Sequence, residues 1–174
     1  MAKVPTIEEL LASAEHSAVH LEMRDTYMPS DPAFIAWQNG TLTDPVGGDV
    51  EFQQWLETVW AATGRGVGIR RARVFSVPES DCIRFEHYVS EANAKAGEDI
   101  RWLPRRQATD IPFPGNDFWV FDNQLVVVLH FTGDGEAAPD WLEPTRDERV
   151  LRLCTSAFEA VWERAVPHAE YRPS

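Results

Sequence analysis

The sequence predicts an α/β fold with a mixed, partly parallel sheet and helices on its faces. Some segments alternate apolar and polar residues, as strands do, and others carry apolar residues every three or four positions, as helices do. The two kinds of segment alternate along the chain, which predicts parallel strands joined by crossover helices. The 174 residues, 44% of them hydrophobic, suffice for a single domain over 1–174.

The N-terminal part contains helix caps and one clear strand. Thr6 and Glu9 have the spacing of a capping box, which predicts an N-terminal helix within residues 1–16. In the segment Ser17–Arg24, apolar Val19 alternates with polar neighbours such as His20, which predicts a strand. Two more helices are expected. One is capped by Asp31 and ends at Gly40, and the other is capped by Asp49 and ends at Gly64.

The middle of the chain predicts two more strands around a helix. The expected elements are a strand over Val67–Val77, a helix from Ser80 to Gly97 and a short strand over Asp99–Leu103. The segment Arg105–Asn116 is predicted to be irregular, since it contains Pro112 and Pro114.

The C-terminal part predicts a hairpin followed by a long helix. Its strands are expected over Asp117–Asp122 and Leu125–Thr132, joined at Asn123 and Gln124. Thr145 and Glu148 then form a second capping-box pattern, which predicts a helix that packs on the sheet.

The charge and hydropathy of the chain exclude several classes of function. A formal net charge of −12 has the wrong sign for direct binding of nucleic acid through its phosphates. The longest apolar run, Leu125–Leu129, is far too short to cross a membrane. The N-terminus also lacks the apolar stretch of a signal peptide, so we expect a cytoplasmic protein.

No motif for a metal or a cofactor emerges from the sequence. Cys82 and Cys154 are expected to be reduced and buried in helices, and they form no zinc-binding pattern. His16 and His20 are four residues apart, but the helix pattern stops between them, so a surface role is expected for both. The glycines of Gly64–Gly68 follow a helix instead of preceding one, which argues against a phosphate-binding loop.

Charged residues near the predicted strand ends form the candidate ligand site. Such a set is either a buried network of ion pairs or a pocket for a small anionic ligand, and Trp119 either packs in the core or stacks on that ligand. If the pocket exists, Arg71→Ala and Arg101→Ala are expected to abolish stabilisation by the ligand. The candidate residues are Glu22, Arg24, Arg71, Arg73, Arg84, Glu86, Arg101, Arg105, Asp117, Trp119 and Asp122.

Four segments together resemble an actinobacterial, Streptomyces-type family described only as a domain of unknown function, number six-eight-seven-nine. They are Leu21–Tyr27, Ser80–Glu86, Ala96–Arg105 and Asp117–Asp122, and the resemblance extends over 17–171. It implies a gene near helix-turn-helix regulators of the Xre type, and it implies no established activity.

The order of elements also resembles one half of a phospholipase D-like domain. Members of that superfamily cleave phosphodiesters with a His-x-Lys-x4-Asp motif, in which the histidine attacks phosphorus. If Asp122 corresponds to the aspartate of the motif, Gly115 and Asp117 stand where the histidine and lysine belong. Glycine has no nucleophile and an aspartate repels phosphate, so the resemblance implies a fold without its active site.

These observations lead to three alternative expectations of function. The first is a non-catalytic regulatory or ligand-binding domain that acts with an Xre-type helix-turn-helix regulator, without a cofactor. The second is an enzyme of unknown chemistry that acts on a small anionic substrate, either phosphorylated or carboxylated. The third is a purely structural interaction partner without a pocket.

Overall fold

The computed structural model describes residues 4–174, and residues 1–3 of the predicted N-terminal segment lie outside this range. The described chain forms five α-helices: α1 (Ile7–Ser13), α2 (Pro32–Gln38), α3 (Val50–Gly64), α4 (Asp81–Lys95) and α5 (Glu148–Arg164). It also forms seven strands: β1 (Ser17–Glu22), β2 (Gly68–Phe75), β3 (Asp99–Pro104), β4 (Asp117–Phe121), β5 (Leu125–Phe131), β6 (Ala137–Thr145) and β7 (Val166–Pro167). A single turn of 3-10 helix, Arg105–Gln107, follows β3.

All seven strands of the described chain belong to one sheet, in the order β6-β5-β4-β1-β2-β3-β7. The central strands β1, β2 and β3 are parallel, and the other neighbouring pairs are antiparallel. The predicted mixed α/β sheet is therefore confirmed, with two parallel pairs at its centre.

Helices cover both faces of the sheet, as the sequence predicts for its terminal helices. On one face, Val19, Leu21 and Phe118 pack against Phe158 of α5. On the other face, α1 and α3 cover the sheet around Ala18, α4 packs on Ile100 and Trp102 through Ile83, and α2 packs on α4. Both faces are thus buried, and polar residues on the second face must find partners inside the protein.

The predicted helix caps are present at the four positions before α1 to α4. Thr6 and Glu9 form the capping box, and the side chains of Asp31, Asp49 and Ser80 each accept a backbone N–H of the helix that follows. These local signals fix where the helices begin, which in turn fixes the loops around the site.

The C-terminal part differs from the prediction in three respects. Strand β6 was not predicted, because its two prolines obscure the pattern of an edge strand that pairs only with β5. Helix α5 is capped by Asp147, which accepts the N–H groups of Arg149 and Val150, so Thr145 is not its cap. The hairpin turn spans residues 122–124, and Asp122 and Asn123 adopt positive φ values of 49° and 53°.

Candidate functional site

The register of the sheet brings three of the site's side chains side by side. In β1, His20 and Glu22 point to the face covered by α3 and α4, because Val19 and Leu21 point to α5. His20 stands opposite Arg71 of β2 and opposite Trp119 of β4. Pairing across three neighbouring strands therefore places a histidine between an arginine and a tryptophan.

His20 is a buried histidine, which corrects the surface role expected from the sequence. Only 5% of the residue is exposed, and its ring stacks on Trp119 with centroids 4.3 Å apart. Burial, followed by the positive charges of Arg71 and Arg73, lowers the pKa of His20 well below 6.5, so the ring is neutral. Within residues 4–174, neither ring nitrogen has a hydrogen-bond partner.

Two buried arginines next to His20 are held by carboxylates. Arg71 donates to Glu98 at 2.6 and 3.3 Å and to Glu22 at 3.3 Å. Arg73 donates to Glu86 at 2.7 Å, and a second nitrogen lies 2.8 Å from Glu22. These five side chains form the ion-pair network that the sequence leaves open as one of two alternatives.

The network has one more carboxyl group than it has guanidinium groups. Burial raises the pKa of Glu22 to about 7, although the charges of Arg73 and Arg71 oppose the rise. Glu22 lies between the two arginines, each of which also contacts another carboxylate. Glu22 is therefore the group of this network that takes up a proton near neutral pH.

Asp117 is a second buried acid at this face, and it is held by Tyr27. The Tyr27 hydroxyl donates to Oδ2 of Asp117 at 2.6 Å, and the N–H of Met23 donates to Oδ1 at 3.0 Å. Burial raises the pKa of Asp117, and the hydrogen bond from Tyr27 opposes that rise. Asp117 is thus a buried acid tied to the β1–α2 loop.

A cavity of about 480 Å³ opens above this face of the sheet. A volume of this size suits a small organic molecule. Its walls come from α3, α4, the β5–β6 hairpin, the loop before α2 and the start of α1. Beside the sheet residues already described, the walls include Glu8, Tyr27, Asp31, Asp49, Phe52, Trp55, Phe85, Glu86, Val89, Asn93, Phe131 and Trp141.

The structure brings some of the predicted site residues together at this cavity. Glu22, Arg71, Glu86, Asp117 and Trp119 line it. Arg73 lies beside them through its contacts with Glu22 and Glu86. Strands β1, β2 and β4 and helix α4 thus bring these six residues together at one place.

The other predicted residues lie elsewhere and have structural contacts. Arg24 donates to the Thr132 carbonyl oxygen at 3.3 Å, and Arg105 donates to the Met23 and Val74 carbonyl oxygens at 2.6 and 3.1 Å. These arginines tie loops and strand ends together beside the cavity.

Two further arginines of the predicted set are separated from the cavity. Arg84 pairs with Asp81 on the exposed side of α4. Arg101 lies on the α5 face of the sheet, with its guanidinium 4.2 Å from the ring centroid of Trp162. A sheet has two faces, and odd- and even-numbered residues of β3 point to different ones, which explains the separation of Arg101 from Arg71.

Asp122 stands at the end of the sheet where β1 begins. Its carboxylate accepts the backbone N–H groups of Glu15, His16 and Ser17 at 3.0, 2.8 and 2.9 Å. These bonds lower the pKa of Asp122, although burial works in the opposite direction. Its contacts hold the α1–β1 connection in place.

Sequence reasoning missed several residues that build the cavity. The indole N–H of Trp55 donates to Oδ1 of Asn93 at 2.7 Å, and both side chains line the cavity. Trp141 belongs to the unpredicted strand β6. The only available signal for His20 was its position on the face of β1 that also carries Glu22.

Neither cysteine adds a reactive group to the site. Cys82 and Cys154 are buried free thiols, and burial raises the pKa of each to about 11. Over residues 4–174, no group of three or more His, Cys, Asp or Glu side chains is arranged to hold a metal ion. In the same range, no helix is long and apolar enough to cross a membrane.

Comparison with solved structures identifies the class of fold. The chain superimposes on Nuc from Salmonella typhimurium, a phospholipase D family member, with a TM-score of 0.52 over 95% of this chain and 88% of that chain. Sequence identity is 13%, so the likeness shows a phospholipase D-like fold and nothing about activity. TrmBL2, an archaeal chromatin protein, is similar at a TM-score of 0.47 and 14% identity, over 91% of this chain and 48% of that chain.

The family is established by the sequence itself. Residues 5–173 match the family described as a domain of unknown function (DUF6879), and the chain belongs to that family. No curated protein matches the chain.

Proposed function

We propose that this chain is a non-catalytic ligand-binding domain with a regulatory role, and that its ligand occupies the cavity above β1, β2 and β4. The observation that carries the proposal is His20, a buried neutral imidazole that lines the cavity without a hydrogen-bond partner in the described chain. An unpaired buried polar group costs about 1–3 kcal/mol. A ligand that bonds to it would offset that cost.

The proposal of a non-catalytic domain is supported by the lysines of the sequence. The chain contains two lysines, Lys3 and Lys95, and neither follows a histidine by two positions. A His-x-Lys pair is therefore missing from the whole chain, although the fold is that of the phospholipase D family. A cavity that lacks these two groups is better suited to holding a molecule than to cleaving a phosphodiester.

The proposal is tested by blocking the cavity. A small-molecule library is screened by thermal shift against the parent chain, Val89→Trp and Tyr88→Trp. Val89 lines the cavity on α4, whereas its neighbour Tyr88 is 39% exposed and lies outside it. Compounds that stabilise the parent and Tyr88→Trp but not a folded Val89→Trp support the proposal. Equal stabilisation of all three proteins contradicts it.

The partner in this proposal is an Xre-type helix-turn-helix regulator in the cytoplasm. A net charge of −12 suits a partner with a basic surface and disfavours direct contact with DNA. We expect the chain to co-purify with a regulator encoded beside it at low salt and not to shift DNA alone. Failure to co-purify, or a tight shift of DNA by the isolated chain, contradicts this part of the proposal.

A second candidate is an enzyme that acts on a small anionic substrate. It is favoured by one observation: Glu22, whose pKa is raised to about 7 chiefly by burial, lies 3.9 Å from the Nδ1 atom of His20. Neighbouring titratable residues with shifted pKa values are frequent at active sites. Turnover of a phosphorylated or carboxylated small molecule by the parent chain, lost in His20→Ala, supports an enzyme. No turnover with a panel of such anionic compounds supports the binding domain.

A further inference from the structure

The charges around the cavity are predominantly negative. Of the lining residues that the structure describes, the acids are Glu8, Glu22, Asp31, Asp49, Glu86 and Asp117, and the sole arginine or lysine is Arg71. If Glu22 is protonated, the other five acidic side chains still outnumber the single arginine. A field of this sign attracts cations and repels anions.

The arginines near the cavity are already occupied by carboxylates. All three nitrogens of Arg71 lie within 3.3 Å of Glu98 or Glu22. Both terminal nitrogens of Arg73 lie within 2.8 Å of Glu86 or Glu22. An anion would have to displace one of these carboxylates to reach a guanidinium fork, which leaves the displaced acid buried and unpaired.

His20 gives an independent indication of a ligand at the same place. The neutral ring offers one N–H donor and one nitrogen acceptor. It is 5% exposed, it lines the cavity, and neither nitrogen has a partner among the described residues. A ligand with an N–H donor would therefore find an acceptor in the floor of an otherwise acidic cavity.

Aromatic side chains form much of the remaining wall. The indole of Trp119 forms part of the floor, and Trp55 meets it edge to face with centroids 6.0 Å apart. Phe131 and Trp141 meet edge to face across the β5–β6 hairpin, with centroids 6.3 Å apart. Aromatic faces attract organic cations and also cover an apolar body.

From these observations we infer that the cavity binds a small organic amine in its protonated form, with an apolar or aromatic body. The inference builds on the proposed function and names the chemical class of its ligand. The ammonium group lies toward Glu86, Asp117 and His20, and the body of the molecule packs against Trp55 and Trp119. The small anionic ligand expected from the sequence thus gives way, in this proposal, to a cation.

Three indoles of nearly equal shape test the sign of the charge. Tryptamine is a cation, tryptophol is neutral and indolepropionate is an anion, and each is titrated by calorimetry into the full chain. We expect tryptamine to bind about tenfold more tightly than tryptophol, with indolepropionate weakest. Indolepropionate binding as tightly as tryptamine, or no binding of tryptamine at millimolar concentration, overturns the inference.

Substitutions that each remove one negative charge from the cavity wall provide a second test. Asp31→Asn keeps an acceptor for the Ala33 N–H that Asp31 caps, and Glu86→Gln keeps the side-chain shape. In both variants we expect the affinity for tryptamine to fall several-fold and the affinity for indolepropionate to rise. The matched control is Glu57→Gln on the exposed side of α3, which should leave both affinities unchanged. Equal effects of all three variants contradict the inference.

The two proposals fail in different ways. If an anionic or neutral indole binds best and Val89→Trp blocks it, the amine is wrong and the binding cavity stands. If tryptamine binds equally well to parent and folded Val89→Trp, the cavity is not the binding site and both proposals fail.

Discussion

The imidazole of His20 lies nearly parallel to the indole of Trp119, with 18° between the ring planes and 4.3 Å between their centroids. The two residues are direct partners across β1 and β4, so the sheet itself fixes the stack. Both stacked rings line the cavity. A polar ring and a large aromatic ring therefore border the same space.

Replacing His20 with phenylalanine should stabilise the chain and impair binding. The stack on Trp119 is kept, while two nitrogens without partners in the described residues are removed from the interior. We expect a gain of about 1 kcal/mol in the free energy of unfolding, measured in urea. Amine binding should fall at the same time, since the acceptor is lost. A loss of stability would mean that the imidazole nitrogens are satisfied in solution.

Stability should depend on pH through Glu22. Because burial raises the pKa of its carboxyl from 4.5 to about 7 on folding, the folded state holds more protons than the unfolded state in that interval. The contribution of Glu22 to stability is therefore complete below 4.5 and is lost as the pH rises through about 7. Urea unfolding across this interval should show stability falling with rising pH.

Glu22→Gln isolates this contribution, because glutamine resembles the protonated carboxyl group. The variant should flatten the decline between pH 4.5 and 7, while Glu57→Gln should leave it as in the parent. An unchanged slope in Glu22→Gln would show that another group releases the proton.

Asp122→Ala should unfold the chain more easily without affecting the cavity. Three backbone N–H groups lose their acceptor, and we expect a cost of about 3 kcal/mol. Asp122→Asn should cost less, since one oxygen remains. Because backbone hydrogen bonds hold the folded pKa of Asp122 below 3.8 against the effect of burial, this contribution is present above 3.8 and is lost as the pH falls further. Loss of ligand binding by Asp122→Ala under conditions where the variant is fully folded would contradict this purely structural role of Asp122.

Arg71 and Arg101 should respond very differently to substitution. Arg71→Met leaves Glu98 and Glu22 buried without this partner, which costs about 3–5 kcal/mol. Arg101→Met loses the contact with Trp162 on the opposite face, which costs about 1 kcal/mol.

Ligand titration separates these two arginines further. Arg101→Met should bind the amine as the parent does, contrary to the expectation from sequence that both arginines serve one pocket. Reduced binding in Arg101→Met with unchanged stability would place Arg101 in the site after all.

The sequence predicted the parts of the fold that depend on local signals. The caps at Asp31 and Asp49 and the alternation from Ser17 to Arg24 required no knowledge of distant residues, and all three are confirmed. Strand β6 was missed because an edge strand with Pro139 and Pro144 has no strong pattern of its own.

The site was predicted only in part because burial is a property of the assembled sheet. The alternation in β1 indicates that His20 and Glu22 share a face, but one strand cannot show that helices cover that face too. Likewise, Arg71 and Arg101 both follow strand patterns, and only the register and the position of α5 place them on opposite faces. The sign of the cavity charge depends on which carboxylates already pair with the arginines, which spacing does not reveal.

The position of a bound amine is measured most directly by NMR of the tryptophan side chains. The indole N–H signals are recorded during a titration with tryptamine and assigned by single Trp→Phe variants. We predict saturable shifts for Trp55, Trp119 and Trp141, which line the cavity. The exposed Trp60 and the α5 residue Trp162 should stay unchanged. Shifts confined to Trp60 or Trp162, or no shift at any indole, would contradict the claim that this cavity is the functional site.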